Sequence, residues 1–272
     1  MASAPIINQM MTIPAFRARK GAGPPLVVLT AYDAPSALAA EAAGVDALLV
    51  GDSLGMVELG HPSTLQVTMA AMLHHAAAVG RCRREALLVA DMPWLSYHLG
   101  PRQAVRNAAR FVRDAGADAV KIEGGRKRVD VLRALADAEI PVMGHLGLTP
   151  QSVLPLGGYR VQAKTADEAD RLLEDAQAIV EAGVFAMVLE AIPPDLAARV
   201  TAAVNVPTIG IGAGPRCDGQ VLVIHDLLGM LPGTPPKFVR RYANVHDQSK
   251  DAIRQWAEDV RSGAFPSSEE SY

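Results

Sequence analysis

A closed (β/α)8 barrel is the fold class this sequence predicts, and three observations lead there. Short apolar runs recur eight times along the 272 residues. Amphipathic or Ala-rich segments separate most of them. No linker-like shift in composition divides the chain, so one domain is expected over 1–272, with a short N-terminal arm at 1–24 and a polar, mobile tail at 263–272. Such alternation builds a parallel sheet, and eight repeats at this length favour closure over an open, doubly wound sheet.

The runs come in a regular order. Pro25–Asp33, Val45–Asp52, Ala86–Pro93 and Ala117–Gly124 are followed by Ile140–Gly147, Val184–Ala191, Val206–Gly214 and Gly219–Asp226. Their length and Val/Leu/Ile content suit parallel strands buried on both faces. Helices are expected from Pro35 to Gly44, Thr68 to Val79 and Pro101 to Gly116. Others follow at Arg128–Ala138, Asp167–Ala182 and Asp195–Val204. Pro101 suits a first turn, and Gly44 and Gly116 suit helix ends. Only GPRCD separates the last two runs, so no full helix fits there. A short helix over Thr12–Lys20 precedes the first strand, and a closing helix spans Asp251–Val260.

Composition narrows the function. Half of the residues are hydrophobic, 4% are aromatic, and the formal charge is -3. No basic field favours nucleic acid or an anionic membrane. Cys82 and Cys217 lie far apart, without metal-type spacing or a disulfide framework, and read as reduced thiols. The opening MASAPIINQMM lacks a secretory pattern, and no apolar run reaches the roughly 20 residues of a membrane span. A cytoplasmic protein is expected.

Polar residues fall where the strands end. The second run ends on Asp52-Ser53, the third on Asp91, the fifth on His145 and the sixth on Glu190; the fourth carries Lys121 and Glu123. In barrels of this class the C-terminal strand ends carry the active site. Neighbouring strands lie about 4.8 Å apart, so Asp52, Asp91 and Glu123 crowd one side of the mouth. Like charges so close are costly, and a divalent cation relieves them. Hard oxygen donors without a Cys pair favour Mg²⁺ over Zn²⁺. Lys121 and Glu123, two apart on one strand, share a face, and the lysine suits an anionic substrate. Glu190, on a strand roughly opposite the second, suits a general base across the mouth from the cation. His145 suits a substrate-orienting role or a hydrogen bond to a loop. GIGAG, Gly210 to Gly214, suits an anion cradle and a phosphorylated substrate. Structural alternatives stay open here. An aspartate can be a turn former or cap, Lys121 can pair with a carboxylate, and Glu190 can cap the helix that begins PPDL.

The segments TAYD, VGDSLGM, GHPSTLQVT, ADMP, VKIEGG, GHLGLTPQS, LGGYRVQ, VLEAIP and IGIGAG occur in this order. As a set they resemble the ketopantoate hydroxymethyltransferase family, from Thr30 to about PKFVRRY. The resemblance implies a Mg²⁺-dependent barrel enzyme of pantothenate biosynthesis. It moves a one-carbon unit from 5,10-methylenetetrahydrofolate to 2-oxoisovalerate and gives 2-dehydropantoate. It implies metal ligands at Asp52 and Asp91, a third metal-site carboxylate at Glu123, acting through water, and a proton acceptor at Glu190. It also implies substrate contacts from Asp52, Ser53, Asp91 and Lys121, and a homodecamer. Gln66 stands where the family pattern has Pro, and Ala191-Ile192-Pro193 follows Glu190 where other small or sulfur-containing residues are frequent; neither touches a carried-over residue. The rival reading is a Mg²⁺ barrel lyase or mutase of the phosphoenolpyruvate mutase/isocitrate lyase type. Such enzymes often add a loop cysteine after an early strand, which Cys82 and Cys217 do not match. A non-catalytic barrel would need neither metal nor Glu190.

Overall fold

The computed structural model describes residues 10–272. Residues 1–9, which hold most of MASAPIINQMM and the start of the expected arm, lie outside the described residues. All eight expected strands form: β1 Leu26–Thr30, β2 Ala47–Val50, β3 Leu87–Asp91, β4 Ala119–Glu123, β5 Val142–Gly147, β6 Ala186–Glu190, β7 Thr208–Ile211 and β8 Gly219–Leu222. Each pairs in parallel with the next, and β8 returns to β1 in the register Leu26↔Gly219 to Leu29↔Leu222, so the sheet closes. The barrel expected from the alternation is the fold observed.

Eleven α-helices are described: α1 Ile13–Arg17, α2 Ala34–Ala42, α3 Leu54–Val57, α4 Met69–Cys82, α5 Pro101–Ala115, α6 Val129–Asp137, α7 Val153–Leu156, α8 Ala166–Glu181, α9 Pro194–Ala203, α10 Ile224–Leu228 and α11 Val245–Ser262. Local chemistry sets their ends. The Thr12 hydroxyl accepts from the N–H of Ala15 at the start of α1. Asp33 with Ser36, and Thr165 with Glu168, close capping boxes on α2 and α8. Gly116 ends α5 in the left-handed conformation, φ 70°. Two expectations are corrected. The eighth run stops as strand at Leu222, and Ile224–Leu228 turns helical. The closing helix is longer than Asp251–Val260, because its polar first turn carries no apolar periodicity to read. The one-turn helices α3, α7 and α10 are too short for such periodicity.

The chain groups into two compact units, the first ending at Val223 and the second running Ile224–Tyr272. The barrel lies in the first. The span 1–272 expected as one domain therefore covers a barrel and a second unit holding α10 and α11. Among the described residues, no helix is long and apolar enough to cross a membrane.

Inside the barrel, alternate strand residues form the core. Leu26 and Val28, Ala47 and Leu49, Leu87 and Val89, Ala119, Met143, Ala186 and Val188, Ile209 and Val221 pack together. Phe16 of α1 is fully buried against them and meets Phe185 edge to face, centroids 5.8 Å apart. Strand side chains alternate with period two. Counted forward from these apolar positions, the inward places at the C-terminal ends are Asp91, Lys121, Glu123, His145 and Glu190. A polar layer therefore sits on top of an apolar plug.

The opposite ends of the strands use acids differently. Asp46 accepts the N–H of Val27 at 2.7 Å, Asp118 that of Leu88 at 2.8 Å and Asp218 that of Thr208 at 2.8 Å. Glu41 accepts the N–H groups of Arg84, Glu85 and Ala86. These carboxylates satisfy backbone donors where the strands begin.

Candidate active site

The polar layer is buried and tightly joined. Asp52, Asp91, Lys121, Glu123 and His145 all lie in the core. Asp52 falls just beyond β2. Its backbone N–H donates to Asp91 Oδ2 at 3.0 Å, and its Oδ2 accepts from Gln151 Nε2 at 2.8 Å. Asp52 therefore does not cap α3, whose N-cap position is Ser53, without a side-chain cap bond. Gly51 takes the inward place before it. A Cβ there would stand 2.8 Å from Ser53 Oγ and 3.5 Å from Asp91 Oδ2, so a larger residue would shift the Ser53 hydroxyl.

Lys121 Nζ lies 3.0 Å from Asp91 Oδ1. The lysine that could have paired with Glu123 on its own strand pairs across to β3 instead. Its pKa is raised: burial works against the ammonium, and the charges of Asp91, Glu123 and Asp52 outweigh it. Burial pushes Asp52 well above the usual carboxylate range, and the charges of Asp91 and Glu123 add to that. Glu123 moves the other way. Burial opposes its charge, but the adjoining His145 ring and the Lys121 charge hold it low. Its Oε2 accepts the Gln151 backbone N–H at 3.0 Å. Its buried Oε1 has no hydrogen-bond partner and faces His145 Nδ1 at 3.5 Å.

His145 is the hub of the other side. Nδ1 lies 3.1 Å from Lys121 Nζ, and Nε2 lies 3.1 Å from Glu190 Oε2. Burial and the Lys121 charge oppose a proton on this ring; the carboxylates of Glu123 and Glu190 on either side outweigh them and raise its pKa to about 9. The histidine binds site carboxylates rather than a loop. It also joins Glu190 to the Glu123 side, so Glu190 is connected across the mouth by one side chain. Glu190 caps no helix: α9 follows Pro193, whose position has no side-chain cap bond. The Glu190 side chain keeps 17% exposure, against 3% for Glu123. It is the acid of this layer that a solute reaches first.

Ser53 Oγ lies 2.8 Å from the hydroxyl of Tyr32, itself fully buried. Tyr32, Tyr97 and Gln151 belong to this network and were not singled out in the sequence. Gln151 lies inside the quoted GHLGLTPQS, and Tyr32 lies inside TAYD in phase with the inward Leu26 and Val28, so their places were available; Tyr97 sits on a loop, where no period marks a buried side chain. The glycine loop serves packing in part: a Cβ on Gly214 would meet Pro194 of α9 at 2.6 Å, and its carbonyl accepts from Gln220 Nε2.

Comparisons with known proteins bear on the fold and the family. Several structures share the fold at low identity. One is 2,3-dimethylmalate lyase of the PEP mutase/isocitrate lyase superfamily, TM-score 0.62, 19% identical, covering 96% of this chain and 92% of that one. Another is phosphonopyruvate hydrolase complexed with oxalate and Mg²⁺, TM-score 0.61, 17% identical, covering 96% and 93%. At this identity the likeness concerns the barrel alone, and the lyase/mutase alternative stands as a relation of fold. Sequence relatives are far nearer. A 3-methyl-2-oxobutanoate hydroxymethyltransferase of Moorella thermoacetica is 55% identical, covering 96% of this chain and 97% of the relative. One of Bradyrhizobium diazoefficiens is 56% identical over 97% and 90%. One of Pyrobaculum islandicum is 54% identical over 92% and 95%. The family model for ketopantoate hydroxymethyltransferase matches residues 10–268. With that match over nearly all of the chain, and a buried acid-lined mouth at the positions its motifs marked, the chain belongs to the ketopantoate hydroxymethyltransferase family.

Proposed function

We infer that this protein transfers a hydroxymethyl unit to 3-methyl-2-oxobutanoate (2-oxoisovalerate) and forms ketopantoate (2-dehydropantoate), a step of pantothenate synthesis. The observation that carries the reading is the polar layer itself. Consecutive strands β3 to β6 each carry an inward ionisable group at or within two residues of their C-terminal end, in a chain of this family. We further propose 5,10-methylenetetrahydrofolate as the one-carbon donor, Mg²⁺ as the cation, and the cytoplasm as the place of action.

The donor set fits such a cation. Burial and two neighbouring negative charges push Asp52 up, and one buried oxygen of Glu123 has no hydrogen bond. Among the described residues no three His, Cys, Asp or Glu side chains converge as a ready-made cage. Mg²⁺ needs only one or two carboxylates and keeps several waters. Asp52 and Asp91 would hold it, with Glu123 as the third carboxylate of the site. When bound, such a cation supplies Lewis-acid polarisation of the keto group, which acidifies the hydrogen on C3.

The remaining steps fall to the chain. Lys121, held charged, offers a cation to the substrate carboxylate, and Ser53, oriented by Tyr32, offers a hydroxyl. His145 Nε2 fixes the carboxylate of Glu190 and orients the substrate side of the mouth. Glu190 takes the C3 proton as general base. Water adds to the methylene carbon of the donor, both of its C–N bonds break, and tetrahydrofolate and formaldehyde are released; C3 then bonds to the formaldehyde carbon, whose oxygen takes up a proton and becomes the new hydroxyl.

Purified protein with keto acid and methylenetetrahydrofolate tests the reading, first in EDTA and then with excess Mg²⁺. Ketopantoate formed only with the metal is expected. No product in either condition from folded protein would sink the transferase reading, and lyase substrates would be assayed next. Product in EDTA would keep the reaction and remove the role given to the carboxylates. The homodecamer implied by the resemblance is a further proposal. Ile253, Trp256 and Val260 of α11 remain exposed at helical spacing, which supports burial between copies, and sedimentation velocity would read the mass.

A further inference from the structure

We propose that Gln151 is a positioning residue that holds Asp52 and Glu123 in fixed relation for cation and substrate binding. The proposal rests on the cation reading above. Gln151 sits in the turn between β5 and α7 and is buried, 6% exposed. Every polar atom of its amide is used. Nε2 donates to Asp52 Oδ2 at 2.8 Å and to the Met92 carbonyl at 2.9 Å. Oε1 accepts from the Tyr97 hydroxyl at 2.7 Å. Two acceptors on one end and a hydroxyl on the other determine which end is nitrogen. Its backbone N–H donates to Glu123 Oε2 at 3.0 Å. Tyr97 completes the circuit, because its hydroxyl accepts the Glu123 backbone N–H at 3.3 Å.

One residue therefore occupies one oxygen of Asp52 and one oxygen of Glu123. These acids come from the ends of β2 and β4, which are not neighbours in the barrel. The Met92 bond ties in the end of β3 between them. Gln151 does not engage the other oxygen of either acid; that of Glu123 has no hydrogen bond and faces His145 Nδ1 at 3.5 Å. A carboxylate held through one oxygen cannot rotate freely, and partners that orient ligating groups set metal affinity almost as strongly as the ligands. A purely packing residue at this place would not need three side-chain hydrogen bonds and a backbone one that together reach the ends of β2, β3 and β4.

The test uses metal-stripped full-length protein titrated with MgCl2 by calorimetry, alongside kcat and KM at saturating Mg²⁺. Gln151→Met keeps the volume and removes the amide. The expected result is Mg²⁺ affinity weakened by about 10–100-fold, with kcat lowered and the KM for keto acid raised. A merely structural role would lower the melting temperature and leave Mg²⁺ affinity and kcat of the folded protein unchanged; that result overturns the proposal. If Gln151→Met does not fold, Gln151→Asn replaces it. It keeps a buried amide too short to reach both Asp52 and Tyr97, and affinity equal to the parent protein overturns the proposal equally. The two readings separate in the parent protein. No Mg²⁺ binding there, with kcat still lost in Gln151→Met, would remove the cation and keep the positioning role.

Discussion

Each ionisable side chain of the mouth is defined by one or two near neighbours. Glu190 is the acid with solvent access, and its orientation comes from His145. Glu190→Gln keeps the shape and removes the base, so kcat is expected to fall by about 10²–10⁴-fold while the KM for the keto acid changes little. A loss under about tenfold in steady-state assays would move the base elsewhere. His98 gives a different prediction, for stability. It stacks on Tyr97, ring centroids 4.3 Å apart, and its buried Nδ1 has no hydrogen-bond partner. Burial, with the charges of Arg128 and Lys127, lowers its pKa to about 4. The unfolded ring titrates near 6.5, so between these values the unfolded chain binds more protons. His98 therefore costs stability as pH falls from about 6.5 towards 4. His98→Gln is expected to flatten that part of the stability curve in urea melts at pH 7 and pH 5. Parallel curves for the two proteins would refute it.

At the scale of elements, an acid's place relative to its strand decides its work. Asp46, Asp118 and Asp218 precede β2, β4 and β8 and hold backbone N–H groups; Asp52, Asp91, Glu123 and Glu190 end strands or follow them and face the mouth. Composition cannot separate the two groups, whereas strand boundaries can. That is why the site acids were legible from the quoted runs, while the pairing of Lys121 with Asp91 rather than Glu123 was not. Glycine carries a similar element-level constraint. Gly147, at the end of β5, has φ +92°, and a Cβ there would strike the Glu190 carbonyl and Ile192. Gly147→Ala is expected to destabilise the protein by about 2 kcal/mol or more through strain and displacement of β6. An unchanged urea midpoint would show that β5 and β6 can separate without cost.

For the barrel as a whole, the ionisable layer and the aromatic plug sit at opposite ends. Phe16 closes the N-terminal end under a shared apolar core, while the acids gather at the other end. Phe16→Ala should cost about 3–5 kcal/mol, because the plug cannot collapse around the lost ring. kcat below the melting temperature should stay near that of the parent protein. Denaturant melts read the first quantity, and assays on the folded variant read the second. A large loss of kcat in folded protein would mean that the ends are coupled.

Eight strands, their order, the barrel and the acids at the strand ends followed from the sequence alone, because apolar runs of strand length are local patterns and the period of two assigns their faces. The motifs also carried the family. Only the tertiary structure decided which groups touch. The Asp91–Lys121 pair, the His145 bridge to Glu190 and the Gln151 link between Asp52 and Glu123 join residues 28 to 99 positions apart. Such contacts depend on barrel closure and on loop backbone, and no local periodicity encodes either.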